Sequence, residues 1–204
     1  MGHAVMILHL PVNSHTGYSG TGFGVYWSMQ RAMQLFLGRP GPRQPRVEDD
    51  SYSLTTIEFQ DKAKRQLVSQ LAVQGDWQGG VLFGTVEKDH LTVSLVAPQG
   101  PPGTHRPLLM PSLPYLVGWS EAVAAMHGDT VDWWGNWIAA PNSGLPDERL
   151  DLTWLARGVQ QGLFDEQHVL VVVGILNGGL TCRAYRWEEG QPMAVDFGLG
   201  HKTG

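Results

Sequence analysis

The chain is poor in cysteine and in long apolar runs. Its 204 residues include one cysteine, Cys182, which excludes an internal disulfide framework and a cysteine-rich zinc site. No stretch approaches the ~20 consecutive apolar residues of a membrane-spanning helix, and the N-terminus shows no basic segment followed by a cleavable apolar one. These absences predict a cytoplasmic protein that does not enter a membrane.

Positive charge is also scarce. The 14 Lys and Arg residues are outnumbered by 19 Asp and Glu residues, which gives a formal net charge of -5 at pH 7. Binders of nucleic acids and of acidic membranes carry basic surfaces, so neither kind of partner is predicted. Glycine and proline are plentiful by contrast, with 26 and 13 residues respectively. They predict a compact domain with many tight turns.

The N-terminal part of the chain differs in composition from the rest. Residues 4–10 predict a short strand, 11–24 a loop rich in Gly, Ser and Thr, and 25–37 a helix with a broad apolar face. The loop glycines lack the spacing of a dinucleotide fingerprint, so a nucleotide site is disfavoured. Prolines among alternating charges then indicate an exposed linker. The predicted parts are an N-terminal extension (1–38), the linker (39–53), a main domain (54–190) and a C-terminal tail (191–204).

The main domain contains both helical and extended patterns. Thr55 or Thr56 is predicted to cap a first helix, whose apolar face begins with Ile57 and Phe59. The later elements are a first hairpin (79–84 and 91–97), a helix (113–127), an aromatic strand from Val131 and a helix from near Asp147. A second hairpin follows, in which a strand buried on both faces (168–176) and an alternating strand (180–187) are joined by an Asn-Gly turn. This order predicts an α/β fold: a central mixed sheet flanked by helices, preceded by a strand-helix extension.

The stretch from 131 to 151 carries the most specific pattern. An aromatic strand leads into a Pro/Asn/Ser/Gly loop and a helix start. Gly135 and Pro141 have the spacing of Gly-x-x-His-x-His-Pro, and Glu148 and Asp151 that of the Ser-x-x-Asp that follows six residues later. Together with the element order and the Gly-Gly-Val-Leu-Phe-Gly strand at 79–84, this resembles the JAMM/MPN family over residues 54–190. Active members are zinc metalloproteases that cut isopeptide bonds to ubiquitin-like proteins, and the resemblance implies an MPN-like, cytidine-deaminase-like layering.

The resemblance also implies that this chain has lost most of the family's chemistry. Ile138 and Ala140 occupy the two histidine positions, Glu148 that of the serine, and Trp77 that of the catalytic glutamate. Only Asp151 matches a metal ligand, and one carboxylate cannot hold a catalytic zinc, which needs three protein ligands and a water. A tryptophan cannot take a proton from zinc-bound water.

These changes favour a domain that binds rather than cuts. By resemblance, noncatalytic members of the family are dimerisation partners and scaffolds in larger complexes, beside an active relative or a ubiquitin-like protein. The chain is therefore expected to bind a protein, to form homo- or heterodimers, and to need no cofactor. The candidate binding residues are Trp77, Trp137, Asn142 and Asp151.

The alternative is a working zinc metalloprotease with non-standard ligands, or an inactivated variant of one. Its metal would be held by Asp151, by Asp76 and by histidines, either from a partner or from the extension, where His9 and His15 are the candidates. Asp76 could replace the missing glutamate only if a bulge re-aims it, because neighbouring side chains of an extended segment point to opposite faces. Asp151 also has a plain structural interpretation, since a carboxylate in the first turn of a helix favours the helix dipole.

Three tryptophans and the cysteine are expected to be structural. Trp133, Trp134 and Trp137 occur in one strand, where alternation places two of them on one face and the third opposite. They are expected to build the core. Cys182 lies in an alternating strand without a neighbouring His/Asp pair, which predicts a buried and unreactive thiol.

Overall fold

The computed structural model describes residues 53–72, 75–100, 108–109, 112–127 and 131–198. The predicted N-terminal extension and nearly all of the linker lie outside these residues. Within them, no helix combines the length and the apolar character needed to cross a membrane. The described elements are β1 (Thr56–Phe59), α1 (Asp61–Leu71), β2 (Gln78–Glu87), β3 (His90–Pro98), α2 (Leu113–His127), β4 (Asp132–Ala139), α3 (Glu148–Gln160), β5 (Val169–Leu176), β6 (Gly179–Glu188) and β7 (Gln191–Gly198).

The seven described strands form a closed barrel. Their order is β1-β3-β2-β4-β5-β6-β7, and β7 pairs with β1 to complete the circle. β1 is parallel to both of its neighbours and β4 is parallel to β5, whereas the other neighbouring strands are antiparallel. The expected α/β fold, a central mixed sheet flanked by helices with MPN-like layering, is therefore wrong. The sheet is mixed, but it closes on itself.

Two strands outside the expected sheet close the barrel. Ile57 and Phe59, expected on a helix, lie in β1, where they are buried and alternate with half-buried Thr56 and Glu58. The helix begins only at Asp61. Residues 191–198, expected in the C-terminal tail, form β7. The four residues of β1 have the period of two that a strand requires, and the helical period starts immediately after them.

Both predicted hairpins are confirmed. β2 pairs antiparallel with β3 across a turn in which Lys88 has a φ of 59°, and β5 pairs with β6 across Asn177 and Gly178 with φ of 53° and 78°. Two successive residues with positive φ are typical of the hairpin turn that Asn-Gly favours. β5 is also buried along most of its length, as its continuous apolar run predicts.

Two hydrophobic clusters lie on opposite sides of the barrel wall. All seven strands contribute to the first, together with Ala63, Leu67 and Leu71 of α1, so this cluster fills the interior and α1 covers it. The second lies on the outer face of the barrel and includes residues of α2 and α3, among them Leu116 and Leu155. We call the space between the barrel and these two helices the outer layer.

A bulge in β4 divides the three tryptophans between the clusters. Trp133 and Gly135 pair with successive residues of β2, so the intervening Trp134 has no pairing partner on β2 and the register shifts at this residue. Trp134 and Trp137 consequently pack against the interior cluster, whereas Trp133 belongs to the outer layer. Strict alternation groups Trp133 with Trp137, so the division of two and one is found but the bulge changes which two tryptophans share a face. Each indole N–H donates to a backbone carbonyl oxygen at 2.8 to 3.2 Å, which satisfies its polar group within the core.

The position of Cys182 can be tested by its reactivity. It packs against the interior cluster, and burial raises the pKa of its thiol from 9.0 to about 12. Because only the thiolate reacts with an aromatic disulfide reagent, labelling at pH 8 should be about a thousandfold slower in the native protein than in the unfolded chain. Absorbance kinetics with and without denaturant measure this ratio. Similar rates in the two states would contradict an inward-facing Cys182.

Candidate functional site

Asp151 lies in the first turn of α3, on the buried side of this helix. Asp147 caps this helix, because its side chain accepts a hydrogen bond of 2.8 Å from the backbone N–H of Arg149. The cap confirms the predicted start of the helix near this residue. Asp151 follows one turn later and is completely buried, while Glu148 on the same turn is exposed. The carboxylate of Asp151 therefore faces the barrel.

The alternation of β6 brings two polar side chains to this carboxylate. Cys182 and Ala184 pack against the interior cluster, so Arg183 and Tyr185 point outward. Arg183 Nε donates to Asp151 Oδ2 at 2.7 Å, and the Tyr185 hydroxyl donates to the same oxygen at 3.1 Å. We call these three residues the Asp151 cluster.

Arg183 also binds the loop that precedes α3. Its Nη2 donates to the backbone carbonyl oxygen of Pro146 at 2.5 Å. One guanidinium thus contacts the start of α3 twice, through a side chain and through the backbone. This arrangement fixes α3 against β6, and it directs the Arg183 charge toward Asp151.

Burial governs the protonation of the cluster. Desolvation raises the pKa of Asp151 above its ordinary 3.8, although the hydrogen bond and positive charge of Arg183 act in the opposite direction. Burial also raises the pKa of Tyr185, and the negative charge of Asp151 adds to this effect. Tyr185 therefore remains a hydrogen-bond donor at neutral pH. The second carboxylate oxygen of Asp151, Oδ1, is buried and accepts no hydrogen bond from any residue that the structure describes.

The strand register places Ile138 on the same side of the barrel as the cluster. Ile138 pairs with Val172 of β5, which in turn pairs with Arg183 of β6. Residues paired in this way across a sheet point to the same face. Ile138 is completely buried in the outer layer. Positions 138 and 151, which belong to one sequence motif, thus both lie in the outer layer.

Other candidate residues lie elsewhere. Trp137 is buried in the interior cluster, on the opposite face of β4 from Ile138, so the barrel wall separates this candidate binding residue from Asp151. Asn142 is exposed and its Oδ1 accepts from the backbone N–H of Gly144 at 3.0 Å, which stabilises a turn. Asp76 is exposed as well. None of these three contributes to the Asp151 cluster.

Trp77 takes part in a second feature of the outer layer. Its ring lies 5.9 Å from that of Trp154 on α3, with an interplanar angle of 58°. The guanidinium carbon of Arg157 lies 4.9 Å from the Trp154 ring, a distance typical of a cation–π contact. Both tryptophans are half-buried, and Arg157 is exposed. We call Trp77, Trp154 and Arg157 the aromatic stack.

The residues at the family-equivalent positions do not fit a zinc ion. Ile138 and Ala140 offer no ligand atom and Trp77 offers only an indole N–H, so the set is reduced to two carboxylates, the exposed Glu148 and the buried Asp151. Its Oδ2 already accepts two hydrogen bonds. Nowhere among the described residues do three His, Cys, Asp or Glu side chains lie close enough together to hold a metal. His9 and His15, the proposed replacement ligands, lie outside these residues.

Comparisons with known proteins assign no family to the chain. No protein-family model and no curated protein matches it. A similar solved structure is the solution structure of protein DSY2949 from Desulfitobacterium hafniense. It has a TM-score of 0.49 and 15% sequence identity, and the match covers 72% of this chain and 94% of that one. A likeness at this level supports no inference about function.

Sequence reasoning missed the partners of Asp151. Arg183 and Tyr185 occur in a strand recognised only by its alternation, and their spacing of two places them on one face. An arginine on the outward face of a strand with an apolar neighbourhood is a signal for a buried counter-charge. Nothing in the local sequence, however, connects that face with a carboxylate 32 residues earlier.

The raised pKa of Asp151 predicts how stability depends on pH. A carboxyl whose folded pKa is raised stabilises the fold most below its ordinary value of 3.8, and this contribution is lost as pH rises through the folded pKa. Asp151→Asn removes the titration. The free energy of unfolding of the wild type minus that of the variant should therefore fall as pH increases from about 3 and then level off.

Denaturant unfolding of both proteins over a pH series measures this difference. A difference that grows with pH would contradict the prediction. It would mean that the attraction of Arg183 outweighs desolvation and lowers the pKa of Asp151.

Proposed function

We propose that this domain is a noncatalytic, protein-binding relative of the JAMM/MPN enzymes that acts as an interaction or scaffold subunit. The observation that carries the proposal is the pairing of Asp151 with Arg183. Where the resemblance implies a metal ligand, the carboxylate is buried and neutralised by a guanidinium. A metal ion at the same oxygen would have to displace that cation.

The neighbouring positions support the same function. Ile138 is buried among apolar side chains, and at Trp77 a ring that packs on Trp154 takes the place of a proton acceptor. These residues fill space rather than position water or substrate. The outer layer around these positions is thus occupied by packing side chains and one ion pair.

The proposed binding surface is the region around the aromatic stack. Half-buried tryptophan and arginine side chains are enriched among the residues that contribute most to protein interfaces. Ala140 follows the last residue of β4, and Trp77 precedes the first residue of β2; the adjacent residues Gln78 and Ala139 are paired. Ala140 and Trp77 therefore lie near each other at one edge of this surface. A partner such as a ubiquitin-like protein or an active relative would contact them together.

Metal analysis separates this proposal from the rival metalloprotease. Protein purified without chelator and without a metal-binding tag is expected to contain far less than one zinc per chain, because the family-equivalent positions offer two carboxylates and no histidine, fewer than the three protein ligands of a catalytic zinc. Asp151→Ala serves as the matched variant. A stoichiometric metal that is lost in Asp151→Ala would overturn the proposal and support ligands from the extension.

A second measurement tests the binding surface. Ala140→Arg places a long charged side chain at the edge of the surface and removes no described side-chain contact. Binding of a partner identified with the wild-type chain should weaken about tenfold or more, as expected when an interface residue is blocked. Val68→Arg, at an exposed position on α1, is the matched control. Calorimetric titration of the purified partner gives the affinities, and equal affinity for both variants would exclude this surface.

A further inference from the structure

A pocket of about 420 Å³ lies at the C-terminal end of α3, the helix that carries part of the aromatic stack. Three parts of the chain form its walls: the end of α3, the loop before β5, and the end of β6 with the turn into β7. Its volume lies in the range of ligand sites, roughly 300 to 1,000 Å³. We call it the acidic pocket and define it by six of the residues that line it: Val159, Phe164, Asp165, Glu166, Trp187 and Glu189.

Packing against the outer layer fixes the aromatic wall of this pocket. Gly158 of α3 lets the Phe164 ring approach the helix closely, because a Cβ at residue 158 would collide with that ring. Trp187 is half-buried and packs against the outer layer, and its backbone N–H donates to the carbonyl oxygen of Asp165 at 3.2 Å. The two aromatic side chains of the pocket are therefore held in place before any ligand binds.

The charged side chains of the pocket all have one sign. Asp165, Glu166 and Glu189 are acidic, and no Lys or Arg is among the described residues that line the pocket. The C-terminal end of α3 borders it as well, so the negative end of the helix dipole adds to the carboxylates. Arg157, the basic residue of the last turn, is engaged in the aromatic stack, and His168 Nδ1 lies 2.8 Å from Asp165 alone. The pocket therefore attracts a cation.

The geometry favours an organic cation over a metal ion. In the part of the chain that the structure describes, no three acidic, histidine or cysteine side chains converge closely enough to hold a metal, so these carboxylates are too dispersed for one. A guanidinium group suits them better, because it is planar, presents five donors and packs on aromatic rings such as Trp187. The rim is exposed at Glu189 and Gly190, so a side chain can enter from solvent.

We propose that the acidic pocket binds an arginine side chain of the protein partner. The proposal rests on the proposed function, because its ligand belongs to a protein, and it adds a contact separate from the aromatic stack. Trp154 and Val159 are five residues apart on α3, which corresponds to about 8 Å along the helix. One partner can therefore contact both places.

Short peptides test the pocket without the partner. An NMR titration follows the Trp187 indole N–H, whose resonance is assigned by its loss in Trp187→Phe. Acetyl-Gly-Arg-Gly-amide should shift this resonance saturably, and acetyl-Gly-Gln-Gly-amide should leave it unchanged. The corresponding lysine peptide should bind more weakly, because an ammonium group does not stack on a ring as a guanidinium does. Raising NaCl from about 50 mM to about 500 mM should weaken binding of the arginine peptide.

Variants of the wall show whether the carboxylates are responsible. Glu166→Gln and Glu189→Gln should each weaken binding of the arginine peptide about two- to fivefold, as expected for a partly exposed ion pair. Glu87→Gln, at an exposed position that does not line the pocket, is the matched control and should leave the affinity unchanged. Equal shifts with the arginine and glutamine peptides, unchanged affinity in both wall variants, or a lysine peptide that binds at least as tightly as the arginine peptide would overturn the proposal.

The acidic pocket and the surface around the aromatic stack can fail separately. If the arginine peptide binds as expected and Ala140→Arg leaves the affinity for the partner unchanged, the pocket is retained and the other surface is rejected. If Ala140→Arg weakens binding of the partner and the arginine peptide does not bind, the proposed function is retained and the pocket is rejected.

Discussion

Closure of the barrel depends on one short strand. β1 has four residues, yet it pairs on both sides, with β3 and with β7, and supplies Ile57 and Phe59 to the interior. Without it, β3 and β7 would each expose a row of unpaired backbone groups, which is a common cause of aggregation. The backbone around β1 is tied down as well. The N–H groups of Leu54 and Asp196 donate to the carbonyl oxygens of Glu166 and Thr55.

The sequence predicts the middle of the fold better than its closure, for a physical reason. The hairpins β2–β3 and β5–β6 are local: each pairs residues that are near in sequence and carries its own turn signal, such as Asn177-Gly178. β1 and β7 pair parallel over a separation of 140 residues, and no local pattern encodes such a contact. Ile57 and Phe59 also continue smoothly into the apolar face of α1. Assigning them to the helix leaves an open sheet, and an open sheet needs helices on both faces.

The candidate site also has a part that the local sequence predicts and a part that depends on residues far along the chain. The helix start at Asp147 and the placement of Asp151 in its first turn follow from the local pattern, because capping is a local interaction. Burial of Asp151 depends on β6, which supplies the compensating charge from far along the chain. A carboxylate removed from water is stable only with a cation or several donors. Arg183 and Tyr185 meet that requirement, so the buried carboxylate is compensated by residues of the barrel itself.

Barrel closure also determines which parts of the surface can bind a partner. Within the described residues every strand has two neighbours, so a partner cannot bind by adding a strand to an edge. The proposed binding surface accordingly lies outside the barrel. There, α3 contributes Trp154 and Arg157 to the aromatic stack, while α1 covers the interior cluster. The ion pair of Asp151 fixes α3 to β6 and thereby holds Trp154 and Arg157 in position. The buried charge thus holds in place the helix that contributes the half-buried Trp154 to the proposed binding surface.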